Sequence, residues 1–371
     1  MGKSFAAMLV LIFLMASCLI MFLPVRADSR TIIVPDDYST IQDAINAASE
    51  GDTIFVKKGT YEEKTLEINK ALSLIGEDAD NTIINLHPQY NETWILTTPF
   101  RTYSNAITIK ANDVTLSNLT IVPEPGGDIS ISGERNQIFG NKIVGTNYQT
   151  SLHVKNSFVV MAGNTVSSII LENAHSNTIS NNTCGYLQLG YANQTSTNNV
   201  ISGNAFGGGP TYFRGILIVA SSNNIFYNNY IANYRGWGGV TDGYGVVLRS
   251  YNGVMAENNT FYHNSFTNNN KNVIIESFAA GNFWDYGVEG NYWDDYNGTD
   301  SNRDDIGDTP YVINSDNIDN YPLMAPFDIE NNTVVLPPPE PFPTTPVAAA
   351  SIAVAVAVGG LLMYFKKRHN H

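Results

Sequence analysis

The chain is short of charge, of cysteine and of basic clusters. Only 15% of its 371 residues are charged, 20 Lys and Arg against 34 Asp and Glu, for a formal net charge of −14. No Lys/Arg cluster interrupts the body. Nucleic acid is therefore excluded as a partner, because phosphate backbones demand a basic footprint. Of the two cysteines, Cys18 falls in an N-terminal apolar run and Cys184 stands alone in the body. No intrachain disulfide can staple an exported domain of this kind, so packing must hold it.

Asparagine is abundant instead, at about one residue in eight, and that excess needs a structural reason. The ends are easier to read. Lys3 precedes an uncharged apolar run from Phe5 to Leu23, followed by Val25-Arg26-Ala27, a small-residue cleavage pattern. Residues 1–27 thus read as a signal peptide or, uncleaved, as an N-terminal anchor. Val347 to Phe365 is a second uncharged run, ended at once by Lys366, Lys367 and Arg368. This is the pattern of a single transmembrane helix with a short cytoplasmic tail, residues 366–371. The body is then expected outside the cell membrane. Leu336 to Pro346 is Pro-rich, a stiff spacer between body and membrane. Sequons at Asn91, Asn118, Asn181, Asn193, Asn258, Asn297 and Asn331 make a glycoprotein plausible where the export route supports it.

Between residues 105 and 296 a phrase keeps returning: "NQIFGNKI" (Asn136–Ile143), "NTISNNTC" (Asn177–Cys184), "NVISGNAF" (Asn199–Phe206), "NIFYNNYI" (Asn224–Ile231) and "NTFYHNSF" (Asn259–Phe266). Its second asparagines fall at 118, 141, 164, 182, 204, 229, 264 and 291. A period near 23 with variable insertions indicates a solenoid. Short strands such as "GILIVAS" (Gly215–Ser221) and "GVVLRSY" (Gly245–Tyr251) precede the phrases, and no unit has room for a helix. The expected fold is all-β: a parallel β-helix with rungs about 4.8 Å apart, about ten of them spanning roughly 50 Å. Asparagine suits its tight left-handed turns and can stack as a side-chain amide ladder.

A solenoid needs caps. "YSTIQDAINAASEG" offers a short amphipathic capping helix, with Ser39 and Gln42 in capping-box spacing and Gly51 as the stop. Residues 28–104 are expected to hold this cap and the first rungs. Residues 297–335 form an acidic C-terminal cap.

"TIIVPDDYSTIQDAINAASEGDTIFVKKGTYEE" (Thr31–Glu63) resembles the opening of NosD-like right-handed β-helix proteins, relatives of the pectin-lyase-like superfamily. The Asn phrases resemble the rungs of carbohydrate-binding and sugar-hydrolysis (CASH) domains. "GNYWDDYNGTDSNRDDIGDTPYVINSDNIDNYPLM" (Gly290–Met324) resembles the end motif of secreted archaeal members. The likeness spans about Thr31 to Phe327. It implies the fold and says little of activity, because the superfamily holds lyases, hydrolases, esterases, adhesins and accessory proteins.

Four groups of residues carry candidate chemistry. Asp300, Asn302, Asp304 and Asp308 occupy relative positions 1, 3, 5 and 9 of an acidic loop, with the Ile306 carbonyl at position 7. That spacing suits Ca²⁺. Against a full EF-hand, Asp305 replaces the usual glycine and Tyr311 the bidentate glutamate. The loop is either a calcium site or a solvated turn. Beside it, Tyr292, Trp293, Tyr296 and Tyr311 either cover the last rung or stack on carbohydrate.

Two long insertions, "GGGPTYFR" (Gly207–Arg214) and "NYRGWGGVTDGYG" (Asn233–Gly245), bring Tyr212, Phe213, Arg214, Tyr234, Arg235, Trp237, Asp242 and Tyr244. Insertions in solenoids collect on one face, and these are either a polysaccharide groove or decorated turns. Aligning the strands places Lys110, Ser132, Lys155, Glu172, Gly190, Val219, Arg249 and Glu276 at one repeat position. Glu172, Arg249, Glu276 and Asp242 are the candidate catalytic residues for a polysaccharide lyase or glycoside hydrolase. Pectate-lyase and polygalacturonase signatures are absent. The NosD likeness also raises copper, which prefers Cys, Met and His. However, His87, His153, His175 and His263 show no short paired spacing. Three roles stay open: a membrane-anchored carbohydrate-binding or envelope protein, a depolymerase, and an accessory factor for a secreted metalloenzyme.

Overall fold

Each turn of the chain repeats the same three moves. A three- or four-residue strand with a buried central residue runs along one wall, turns sharply at an asparagine, runs along a second wall and bends onto a third. The computed structural model describes residues 29–326 except 96–97, 125, 146–149, 209–211, 237–242, 277–278 and 280. The expected signal, Pro-rich spacer, membrane helix and tail lie outside the described residues. Among the described residues no helix is long and apolar enough to cross a membrane.

The first wall, face I, is a ten-stranded parallel sheet from Thr31–Val34 to Thr260–Tyr262, with every crossover returning to the next position. Face II carries Gly59–Glu63, Thr82–Leu86, Thr120–Pro123 and their successors to Tyr292–Trp293. Face III carries Leu66–Ile68, Ile107–Ile109, Ile129–Ile131 and successors to Lys271–Glu276. One hydrophobic core runs down the middle, from Ile32 to Trp293. The parallel β-helix expected from the repeat is the fold observed.

The repeated asparagines explain its register. Asn141, Asn164, Asn182, Asn204, Asn229, Asn264 and Asn291 stack at the corner between faces I and II. At Asn229, Oδ1 accepts the Asn204 backbone N–H and side-chain Nδ2–H, both at 3.0 Å. Its own Nδ2 donates to the Ile201 carbonyl and to Asn264 Oδ1, both at 2.9 Å. Every hydrogen-bonding position of a buried amide is thereby filled, which removes the cost of burying it. A second column, Asn177, Asn199, Asn224, Asn259 and Asn282, does the same at the corner between faces III and I.

The residue before six of the seven ladder members is left-handed: Gly140, Gly163, Asn181, Gly203, Asn228 and His263 all have φ between 54° and 64°. Asn118 belongs to this set, at φ 56°. The expectation that it anchors the ladder is corrected, because Leu119 holds the ladder position and donates its N–H to Asn141 Oδ1 at 3.2 Å. Asparagine thus does two jobs at adjacent positions, and "NN" pairs satisfy both.

The front cap is α1 (Ile41–Ala47), which buries Ile41, Ala44 and Ile45. Its boundaries differ from the expected ones. Thr40, not Ser39, is the N-cap and accepts the Asp43 N–H at 3.1 Å. Gln42 instead clamps the neighbouring strand, accepting the Glu67 N–H at 2.8 Å. Lys70 ends the helix by donating to the Asn46 and Ala48 carbonyls at 2.8 and 2.6 Å, three residues before the Gly51 turn.

At the other end the ladder terminates on a carboxylate. Asp319 Oδ2 accepts the Asn291 N–H at 2.7 Å and the Trp293 indole N–H at 2.9 Å. Burial pushes Asp319 up to about 6, against the pull of those donors. Phe266, Trp293 and Tyr311 stack at 4.4 and 4.3 Å over the last rung, and Tyr296 packs against Tyr311. The capping role of these aromatics is therefore observed.

Two predictions follow from the ladder and its end. Asn229→Ala strips acceptors from two buried Asn204 donors and is expected to cost about 3 kcal/mol or more, at roughly 1–3 per orphaned group. Asn228→Gly, one residue earlier, keeps the left-handed turn and is expected to stay within about 1 kcal/mol of the parent. Denaturant melts check both; equal losses at the two positions would refute the division of labour. For Asp319, the folded pKa lies above the unfolded one, so the native state holds the proton more tightly. Its contribution is full below about pH 4 and is lost as pH rises through about 6, a swing of roughly 3 kcal/mol. The stability difference between Asp319→Asn and the parent should move by that amount, in the variant's favour, from pH 4 to 7. A pH-independent difference would show that Asp319 is not the group.

Candidate functional site

The insertions share one corner. Residues 208–213 lie between Ala205–Gly207 on face II and Arg214–Val219 on face III. Residues 233–243 lie between Tyr230–Ala232 and Tyr244–Arg249. The hairpin Tyr90–Ile95/Thr98–Tyr103 interrupts the same corner between Thr82–Leu86 and Ile107–Ile109. The sequence analysis singled out the first two and missed the hairpin, which precedes the first recognisable Asn phrase.

Face III beside this corner is the candidate site. Its strand register reproduces the aligned repeat position: Val219, Arg249 and Glu276 are direct neighbours on successive rungs. Ile131, Val154, Leu171, Leu189 and Ile218, each one residue earlier, are paired in the same series. Arg249 Nε and Nη2 both lie 2.5 Å from Glu276 Oε2. Glu172 is three rungs from Arg249, about 14 Å at 4.8 Å per rung. The expected row is real as a column, but Glu172 does not share a site with Arg249 and Glu276. Charges three rungs apart on a rigid ladder cannot converge.

Outward-facing Leu217, Val219 and Val247 are buried, and Tyr186, Tyr244 and Ile274 pack around them. Tyr212 stacks on Tyr186 with ring centroids 6.2 Å apart and planes 11° apart. The Tyr186 hydroxyl donates to Gln188 Oε1 at 2.7 Å. Burial raises this phenol to about 12, while Arg214 and Arg249 pull it down, so both cations lie within electrostatic reach. Arg214 is paired in register with Tyr244. Of the ligand candidates, Tyr212, Arg214 and Tyr244 lie around this apolar layer, on a face shared with the catalytic candidates Arg249 and Glu276.

Tyr234 does not join them. It is fully buried in the main core, with its hydroxyl donating to the Gly185 carbonyl at 2.8 Å. A Cβ at Gly215 would stand 2.6 Å from its ring, so glycine there makes its room. The ligand role expected for Tyr234 is corrected to a core role. Arg235 is exposed, and its carbonyl accepts the Asn270 side chain at 2.6 Å. Trp237 and Asp242 lie outside the described residues.

Further along face III a polar group escaped the sequence analysis. His153 Nε2 lies 3.3 Å from Asp128 Oδ2, and its Nδ1 lies 4.0 Å from Glu172 Oε1. Lys155 Nζ is 3.9 Å from Glu172 Oε2. Asp128 and Glu172 come from different rungs at irregular spacing, so nothing local in the sequence links them.

In the acidic loop, the carboxylates bind the loop's own backbone. Asp300 accepts the N–H groups of Arg303, Asp304 and Asp305 at 2.7, 3.2 and 3.0 Å. Asp304 accepts the Ile306 N–H at 3.1 Å and the Asn302 amide at 2.8 Å. Asp308 accepts from Ser301 and Thr299, and those bonds hold it below the usual aspartate range. Among the described residues, no group of three or more His, Cys, Asp or Glu is arranged to hold a metal ion.

A family model described as "Periplasmic copper-binding protein (NosD)" matches residues 45–241, more than half of the chain. No curated protein sequence matches. Among solved structures, pectin methylesterase PemA from Erwinia chrysanthemi is 16% identical over 57% of this chain and 80% of its own, with a TM-score of 0.39. An alginate lyase from Paenibacillus sp. str. FPU-7 is 13% identical over 71% and 97%, TM-score 0.39. The family 28 exopolygalacturonase of Yersinia enterocolitica is 15% identical over 72% and 59%, TM-score 0.38. At these values the enzymes' activities do not transfer.

The residues described here do not fit the copper of the family's description. Cys184 is buried, and desolvation raises its thiol to about 12, so it holds its proton. His87 and His263 are hydrogen-bonded to Glu62 and Glu289, and His175 to Thr197, on separate rungs. By the match over residues 45–241, on a right-handed parallel β-helix, the chain belongs to the NosD family.

Proposed function

We propose that this chain is an exported β-helix, held at the membrane by its C-terminal apolar segment, that binds polysaccharide along the outer surface of face III. The observation that carries the reading is the assembly of Tyr186, Tyr212, Tyr244, Arg214 and Arg249–Glu276 around an outward apolar layer, beside the corner that collects the insertions. Aromatic rings with flanking charged and amide groups suit sugar rings, which present both apolar C–H faces and hydroxyls. A series of sites at rung spacing also suits a polymer better than a small molecule.

Depolymerisation is less well supported on this stretch, because Arg249 neutralises Glu276. An enzymatic reading has better geometry at Asp128, His153 and Glu172, where two carboxylates flank one imidazole. Reducing-end and unsaturated-product assays on bound polysaccharides separate the two readings. Binding without product is expected. Product formation abolished in Glu172→Gln would replace binding by catalysis.

On arrays of neutral and acidic oligosaccharides, the full-length chain is expected to retain ligand. Tyr212→Ala and Arg249→Ala should each weaken binding about fivefold, one hydrogen bond or ring stack being worth roughly 1 kcal/mol. Retention unchanged in both variants would remove this surface from consideration. Deleting residues 347–371 should move the protein from the membrane pellet to the soluble fraction. A pellet that keeps the truncated protein would place the anchor elsewhere.

A further inference from the structure

A groove of about 650 Å³ opens at the start of face III, between the neck of the Tyr90–Tyr103 hairpin and the strands Leu66–Ile68 and Ile107–Ile109. Its size falls in the range of small-molecule sites. The neck is closed by the Ser104 N–H donating to the Gln89 carbonyl at 2.8 Å. The floor strand is pinned from behind by Gln42, which accepts the Glu67 N–H at 2.8 Å. The groove is therefore built by the fold rather than by loose loop packing.

The charges in its walls are consumed in pairs. Glu67 Oε1 lies 2.7 Å from Lys110 Nζ, and Glu62 Oε2 lies 2.7 Å from His87 Nε2. Asn85 donates to the other oxygen of Glu62 at 2.7 Å. Lys64 is the one lining cation without an ion pair among the described residues. The remaining lining is uncharged: polar Thr65, Gln89, Ser104, Asn105 and Thr108, apolar Leu66 and the half-exposed ring of Tyr90.

This balance decides the ligand class. A polyanion would meet one free cation among the described residues, inside a protein of net charge −14 whose field repels it. A cation would meet carboxylates already engaged. Neutral hydroxyls, each both donor and acceptor, match amides and hydroxyls, and the C–H face of a sugar ring matches an aromatic wall. We propose that this groove is a subsite for a neutral hexose unit.

The assignment deepens the proposed polysaccharide binding and rests on it for biological sense, but it uses a separate set of residues. The groove and the insertions share one corner, five rungs apart, or about 24 Å at 4.8 Å per rung. A long glycan can touch both. A disaccharide cannot.

The test is calorimetry on the full-length chain with neutral β-linked gluco- and manno-oligosaccharides of two to three units, and with a uronate trimer as comparison. Neutral sugars are expected to bind, with affinity lowered about tenfold by Gln89→Ala and by Asn105→Ala. Tyr90→Phe guards against unfolding of the hairpin and should retain binding, because the ring is kept. Uronate binding lost in Lys64→Ala, with no neutral sugar bound, overturns the neutral assignment. Binding lost only in Arg249→Ala overturns the groove and leaves the proposed function standing. Binding lost only in the groove variants supports the groove and moves recognition away from the insertion side. No binding of any sugar overturns the subsite.

Discussion

The saturated asparagine amide is the interaction on which this structure depends. A parallel β-helix buries two sharp corners per turn, and each corner leaves main-chain groups that no strand partner reaches. Asn229 and its equivalents supply the missing donors and acceptors from the side chain, and each passes its bonds on to the next rung. An amide in low dielectric is costly when half satisfied and strong when complete. The ladder therefore fixes register as firmly as the core does, since a shift by one residue would orphan every member.

That constraint also explains where variation is allowed. The ladders occupy the corners between faces III and I and between faces I and II. Among the described residues, the third corner, between faces II and III, has no amide column of this length. The hairpin near Tyr90 leaves the helix there, and the strands on either side of residues 208–213 and 233–243 end and begin at the same corner. The fold is rigid where its amides stack and permissive where they do not. Arg214 and Tyr244 begin their strands at the permissive edge, whereas Lys110, Arg249 and Glu276 stand at the other end of face III.

The caps use the same chemistry with different residues. Glu63 accepts the Ile41 N–H at 2.6 Å at the front, and Asp319 accepts Asn291 and Trp293 at the back. Both carboxylates are buried, and burial raises both pKa values. A ladder in which each amide donates one N–H to the next amide and the other to a carbonyl of the rung before finishes naturally on an acceptor without protons. Copper ligation has no comparable foundation among the described residues, because the core uses Cys184 as a small apolar side chain and the histidines serve single rungs.

Periodicity was legible without any coordinates. The recurring Asn-x-apolar-x-x-Asn phrase implied a parallel β-helix, and strand alignment put Val219, Arg249 and Glu276 in one column, because both follow from hydrogen bonds repeated at a near-constant interval. The capping role of Trp293 and Tyr311 was one of two readings open in the sequence. Tertiary structure alone decided the rest. It put Leu119 rather than Asn118 in the ladder, since neighbouring asparagines look alike until their backbone angles differ. It turned Tyr234 inward, because a tyrosine in an insertion reads as exposed until a glycine such as Gly215 is seen to open room for it. It brought Asp128, His153 and Glu172 together, and opened the groove beside Gln89 and Ser104. Repeats announce the path of the backbone because one pattern of bonds recurs. A site forms where unlike rungs and an irregular insertion meet, and that meeting has no period to read.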